Sequence, residues 1–149
     1  MQEKGIFVEM KIEEINNPAE LDFGQMTQLM HQLNPELVVT EEMVRQTIEA
    51  PDSHLYVMRD GSRAIGCATL GVFHSPTGRK ASIEDVVVLD EYRGQGLGKQ
   101  LILHLIEEAK QLAPIKVQLT SRPERIAANK LYQSLGFTRR DTNIYVMKL

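Results

Sequence analysis

With 149 residues, 42% hydrophobic and 25% charged, the chain has the size and balance of one globular domain spanning 1–149, and two full domains do not fit. A formal net charge of -3 denies it the global positive field that draws proteins to nucleic acid or to an anionic membrane, so neither is expected as a partner. One cysteine, Cys67, allows no internal disulfide, and without a Cys-x-x-Cys pair or a His-Glu-x-x-His helix no metal is expected.

Met1 to Lys11 mixes Glu3, Lys4 and Glu9 with short apolar runs instead of a long apolar leader core, and no stretch approaches membrane-spanning length. A reducing, cytoplasmic setting is the expectation. Within Gly5 to Ile15 the alternation of Ile6, Val8, Met10 and Ile12 predicts a first strand. Leu21, Met26, Leu29, Met30 and Leu33 suit a helix over Pro18 to Leu33, and Thr40 opens a second. Leu55 to Met58 and Ala64 to Phe73 read as a hairpin closed by the Asp-Gly turn of Arg59-Asp60-Gly61-Ser62, and His74 to Gly78 is a further loop. Ile83 to Leu89 is a nearly continuous apolar run, predicted as a strand buried on both faces, with Glu84 and Asp85 embedded in it.

Leu97, Leu101, Leu105, Ala109 and Leu112 share one helical face ahead of Ala113-Pro114. Ile115 to Thr120 alternates as a strand. Pro123 to Leu135 is predicted as a helix capped by Gly136, and Phe137 to Arg139 and Ile144 to Leu149 as closing strands.

The segment Val86 to Lys99 carries the most information: an apolar strand passes through Arg93-Gly94-Gln95-Gly96-Leu97-Gly98-Lys99 into a helix. Glycines let backbone approach phosphate oxygens, unpaired amides and the positive helix end face the ligand, and Arg93 and Lys99 add charge. A diphosphate suits that geometry. A Walker loop is excluded because position 93 is Arg and position 100 is Gln; a dinucleotide fingerprint lacks its third glycine at the required spacing.

Arg93-x-x-Gly96-x-Gly98 resembles the Gln/Arg-x-x-Gly-x-Gly/Ala signature of the GNAT acyltransferase superfamily, and Ala128-x-x-Leu131-Tyr132-x-x-x-Gly136-Phe137 is similar to that family's second segment. The resemblance implies an α/β fold whose mixed, mostly antiparallel sheet has about six or seven strands flanked by about four helices. It implies an enzyme, an acyl-CoA dependent N-acyltransferase that moves acetyl from acetyl-CoA to a small-molecule amine, an amino sugar or a peptide amine by direct transfer.

By the same resemblance Arg93, Gly94, Gln95, Gly96, Leu97, Gly98 and Lys99 hold the pyrophosphate, and the backbone of Val86, Val87 and Val88 pairs with the pantetheine arm. Arg125, Asn129 and Tyr132, at i, i+4 and i+7 of one helix face, line the cofactor, with Arg125 where the family often has Asn. Tyr132 matches the tyrosine that donates to the CoA sulfur. Glu84 is the candidate base, since a carboxylate in an apolar strand beside a cleft can have a raised pKa; alternation puts it on the face of Val86 and Val88, with Asp85 opposite unless a bulge intervenes. A plain ion pair of Glu84 with Arg79 or Lys80 is the competing reading.

Ile83-Glu84-Asp85-Val86, with nine residues from Glu84 to Arg93, also resembles the glucosamine-phosphate N-acetyltransferase branch, in which the acidic pair Glu84 and Asp85 helps to hold the amino sugar; no phosphate-binding cluster shows in the N-terminal region. Cys67 reads as a buried structural residue, and Met26, Met30 and Met43 as core or as walls of an acceptor pocket. The competing function is a non-catalytic acyl-CoA sensor on the same fold. A homodimer through the edge strand Ile144 to Leu149 is the expected assembly.

Overall fold

The computed structural model describes residues 10–149; Ile6 and Val8 of the first expected strand lie outside them. The chain forms two compact units, Met1–Leu119 and Thr120–Leu149. In the first, β1 (Lys11–Glu14) leads to a single 3-10 turn, Pro18–Glu20, and then to α1 (Phe23–Leu33) and α2 (Glu41–Glu49). The helix expected from Pro18 onward is thus split. Asn17 caps the short turn through its side chain to Ala19 N (2.9 Å), and Asp22, in extended conformation, starts α1 afresh by accepting from Gln25 N (3.0 Å). Thr40 caps α2 as its residue type predicts, its hydroxyl accepting from Met43 N (3.2 Å).

β2 (Ser53–Asp60), β3 (Arg63–Ser75) and β4 (Gly78–Val88) form an antiparallel meander with β1, and β5 (Lys116–Gln118) joins β4 in parallel, giving the order β1-β2-β3-β4-β5. The β2–β3 turn sits one residue further along than the Asp-Gly reading. Asp60 pairs with Arg63, and Gly61-Ser62 occupies the two central positions, with Gly61 at φ 59° supplying the positive φ that such a turn needs first.

Successive residues of β3 face opposite sides. Leu101 of α3 (Leu97–Lys110) packs 3.3 Å from the point where a Gly66 side chain would begin, so α3 covers that face, whereas α1 and α2 cover the face of Cys67 and Thr69. The core between these layers includes Met26, Leu29, Leu55, Val57, Ile65, Cys67, Val87 and Leu101, all buried.

β4 departs from its sequence reading. Ala81, Ile83 and Val87 are buried, but Glu84 and Asp85 are exposed, so the strand is not covered on both faces. β5 pairs only with Lys80, Ala81 and Ser82, which leaves the edge of β4 from Ile83 to Val88 without a neighbouring strand among the described residues.

The second unit contains α4 (Ile126–Ser134). It begins three residues later than predicted, because Pro123 occupies a turn closed by Arg125 N donating to Arg122 O (3.1 Å). Proline suits the second position of such a turn as well as it suits a first helical turn. The end is as expected: Gly136, at φ 99°, donates to Gln133 O (3.1 Å) and Phe137 N donates to Tyr132 O (3.1 Å), the double bond pattern of a Schellman motif. Phe137–Arg139 and Ile144–Leu149 form no strands. This unit offers no strand for them to pair with, and an extended segment without a hydrogen-bonding neighbour is not a sheet. Among the described residues the sheet thus has five strands where six or seven were expected, and the mixed α/β fold class stands.

Candidate active site

A 3-10 turn at Asp90–Tyr92 delivers the chain from β4 into Arg93–Gly98. Gly94 (φ 79°) and Gly96 (φ 73°, ψ 18°) both adopt left-handed backbone, which disfavours any side chain there. Gly96 is the N-cap of α3 and, lacking a side chain, caps nothing. From Gly94 to Lys99 no backbone N–H has a partner among the described residues; the first helical bond is Gln100 N to Gly96 O (3.1 Å). The result is a continuous arc of free donors at the positive end of a 14-residue helix, the arrangement that binds phosphate oxygens. A Cβ on Gly98 meets nothing within 4 Å, so the third glycine is not forced by the protein's own packing. Arg93 pairs at the surface with Asp90 (2.7 Å), and Lys99 is exposed.

The lead-in turn is braced by residues that carried no motif. Tyr92 donates its hydroxyl to Asp60 (2.6 Å), Arg63 pairs with Glu91 (2.6 Å), and the Arg63 guanidinium lies 5.8 Å from the centre of the Tyr92 ring. Gln32, in the last turn of α1, accepts from Asp90 N (2.7 Å) and donates to the Val88 carbonyl. One amide thus clamps the strand-to-loop junction. Among Val86, Val87 and Val88, the Val88 carbonyl is accordingly already engaged.

The two acidic residues of β4 are arranged by a bulge. Thr69 faces Glu84 and Cys67 faces Val87, so two steps along β3 span three along β4, and Asp85 is the extra residue, with φ 52°. Simple alternation is broken at that point. The Glu84 carboxylate accepts from Ser82 Oγ (2.7 Å), and not from Arg79 or Lys80 as the competing reading had it. Arg79 bonds His74 (3.2 Å) and the Leu112 carbonyl; Lys80 bonds Ser75 and Thr77, both at 2.7 Å.

Asp85 instead lines a pocket with about 510 Å³ of empty space, open to solvent, between the helices and the sheet. Met26 and Met30 of α1 and Met43, Val44 and Thr47 of α2 form its outer walls. Val39, Leu55, Cys67 and Thr69 complete the lining. Lost hydration first, and the neighbouring Glu84 charge second, raise the Asp85 pKa above the ordinary carboxylate value. Burial pushes the Cys67 thiol up to about 12, with Asp85 adding to the shift, so Cys67 stays a neutral thiol near pH 7, as a structural residue should. Met26 and Met30 serve both core and pocket, and Met43 is a half-exposed wall. No three His, Cys, Asp or Glu side chains converge on a common point among the described residues.

In the second unit Tyr132 and Phe137 are the third-last helical position and the second residue past the cap, the pair that a Schellman motif brings into contact. Their rings meet edge to face at 6.2 Å. Tyr132 is half-buried. Arg125 is the N-cap residue and not a position on the helix face, and the Asn129 amide donates to Arg122 O (3.0 Å), tying down the turn ahead of α4.

The model of the acetyltransferase (GNAT) family matches residues 23–137. Among curated relatives, a glucosamine 6-phosphate N-acetyltransferase of Trypanosoma brucei brucei is 35% identical over 118 residues, covering 64% of this chain and 78% of its own. Glucosamine 6-phosphate N-acetyltransferase 1 of Oryza sativa subsp. japonica is 29% identical over 126 residues, covering 78% of this chain and 74% of its own. A solved aminoglycoside N-acetyltransferase in complex with CoA shares the fold at a TM-score of 0.74 and 20% identity, covering 94% of this chain and 95% of its own. With the family model matched over most of its length, the chain belongs to the acetyltransferase (GNAT) family.

Proposed function

We propose that this acyl-CoA dependent N-acyltransferase binds acetyl-CoA along Arg93–Lys99 and the open edge of β4, and acetylates a primary amine held beside Asp85. The observation that carries the reading is the unbroken run of partnerless amides from Gly94 to Lys99, reached through the Asp90–Tyr92 turn from a strand edge that β5 has left. Arg93 and Lys99 add positive charge to the diphosphate end, and Arg125 and Asn129 keep the cofactor-lining role that the family resemblance gives them.

In the transfer, the amine nitrogen attacks the thioester carbonyl, a C–N bond forms and the C–S bond breaks. Asp85 accepts the proton that the nitrogen loses, and the Tyr132 hydroxyl returns one to the departing thiolate. Asp85 replaces Glu84 in the role of base because it lines the pocket with a raised pKa, whereas Glu84 is held by Ser82 along its own strand. Glu84 keeps a part in tuning Asp85 through its charge.

Gly96→Val tests the loop. A β-branched side chain at φ 73° costs about 1–2 kcal/mol in backbone strain, enough to weaken CoA binding about tenfold in calorimetry while circular dichroism stays unchanged. Unaltered affinity would remove the loop from the site. Free-thiol release from acetyl-CoA with an amine panel tests turnover. Heat of CoA binding without thiol release for any amine marks the rival reading, a non-catalytic sensor.

The assembly we place at the C-terminus is a homodimer. Ile144, Tyr145, Val146, Met147 and Leu149 are between 63% and 113% exposed, a run that a second copy is suited to cover. Light scattering should give twice the chain mass of 16.9 kDa, and deletion of 144–149 should halve it; a single-chain mass for the full protein refutes the dimer. A reducing cytoplasm suits the one buried cysteine.

A further inference from the structure

The acceptor pocket lies against the same strand as the cofactor edge, since Asp85 immediately precedes Val86. Its walls are apolar: Met26 and Met30 from α1, Met43 and Val44 from α2, and Leu55 from β2. Polar groups are few. Thr47 and Thr69 offer neutral hydroxyls, Cys67 is a neutral thiol, and Asp85 is the lone carboxyl group of the lining. Among the described residues of the first unit, no lysine, arginine or histidine lines the pocket.

From this lining we infer that the acceptor is a small primary amine on an uncharged, apolar body, an arylalkylamine or alkylamine, whose ammonium docks on Asp85 while its body fills the methionine-walled space. The inference rests on the acyltransferase reading above and adds the substrate class.

Two physical arguments support it. A phosphate brought among thioether and alkyl groups loses its hydration and finds no cation in return, a penalty that rejects anionic amines. An alkyl or aryl body gains from burial against the same walls. Three methionines add adaptability, since an unbranched thioether chain repacks around different shapes; the site should therefore accept apolar bodies of different outline at comparable rates. The atoms balance without a further reagent: the docked ammonium gives one proton to the Asp85 carboxylate, the free nitrogen forms the C–N bond as the C–S bond breaks, Tyr132 protonates the departing thiolate, and the second proton shed by the acetylated nitrogen restores the Tyr132 hydroxyl. Two of the relatives named above are glucosamine 6-phosphate N-acetyltransferases, and the pocket of this chain is lined for a different body.

The test uses the intact protein and thiol release from acetyl-CoA, with phenethylamine and hexylamine set against glucosamine and glucosamine 6-phosphate. The expected result is a kcat/KM for the two apolar amines within about tenfold of each other and at least about 100-fold above that for glucosamine 6-phosphate. Met43→Lys, at a half-exposed wall position, should narrow that gap about tenfold by giving the phosphate a partner. Equal or better use of glucosamine 6-phosphate by the unmodified protein overturns the substrate class and leaves the acyltransferase reading intact. CoA binding heat with no thiol release for any of the four amines overturns both, as does a complete lack of CoA binding.

Discussion

Asp85→Asn is expected to lower kcat for amine acetylation by about 100- to 1,000-fold, the scale on which a positioned general base contributes. The substitution is clean for a structural reason. Asp85 is the inserted residue of the β4 bulge with φ 52°, and asparagine is among the few residues that tolerate that conformation, so the backbone keeps its course. What is lost is the ability to take a proton. The wild-type pH profile of kcat/KM should fall on the acid side with a midpoint above the ordinary carboxylate value, because burial and Glu84 raise the Asp85 pKa, and that limb should be missing from the residual activity of Asp85→Asn.

The same shift makes a stability prediction of opposite sign. A carboxyl whose folded pKa is raised favours the folded state when protonated, and that contribution is lost as pH rises from the unfolded to the folded pKa. Above that folded pKa the wild type therefore carries the penalty of an ionised Asp85 and Asp85→Asn does not. There its Tm should be equal to or above that of the wild type, the difference vanishing in acid. Retention of kcat within about threefold would end the assignment of Asp85 as base.

Tyr132→Phe is expected to lower kcat about 100-fold while leaving Tm unchanged and the affinity for free CoA within about twofold of wild type. The separation of these readouts follows from the helix end. Tyr132 offers its backbone carbonyl to Phe137 N and its ring to the Phe137 ring, and phenylalanine supplies both equally well. Only the hydroxyl disappears. Tyr132→Ala, by contrast, removes the edge-to-face pair and should also cost about 0.5–1.5 kcal/mol of stability. If kcat survives Tyr132→Phe and falls only in Tyr132→Ala, the residue is a clasp for the end of α4 and another group protonates the thiolate.

Much of the site was legible because it is built from short-range rules. The spacing of Arg93, Gly96 and Gly98 after an apolar run encodes a strand, a left-handed turn and a helix start within a few residues of one another, and the same holds for Leu131, Tyr132, Gly136 and Phe137 at the end of α4. Thr40 capped its helix as its residue type predicts. Boundaries failed where two local solutions compete. Pro123 fits a turn or a first helical turn, and Asp60-Gly61 or Gly61-Ser62 can each sit at the tip of a hairpin; in both cases the strands and contacts around them chose.

The choice between Glu84 and Asp85 was beyond any local rule. Period-two alternation assigns the acidic pair to opposite faces, and a single inserted residue, set by the register of β4 on β3, redirects Asp85 into the pocket. Gln32 is a still longer-range case, bonding partners 56 and 58 positions away with no motif of its own.

The amino-acid sequence by itself thus determined the glycine loop that opens α3, the family and the presence of a carboxylate pair in the strand ahead of it, because each depends on backbone conformations that neighbouring residues impose on one another. Only the tertiary structure decided which carboxylate lines the pocket between helices and sheet, what surrounds it there and which side chain clamps the glycine loop, because those properties depend on strand register and helix placement, which are settled by packing between residues far apart in the chain.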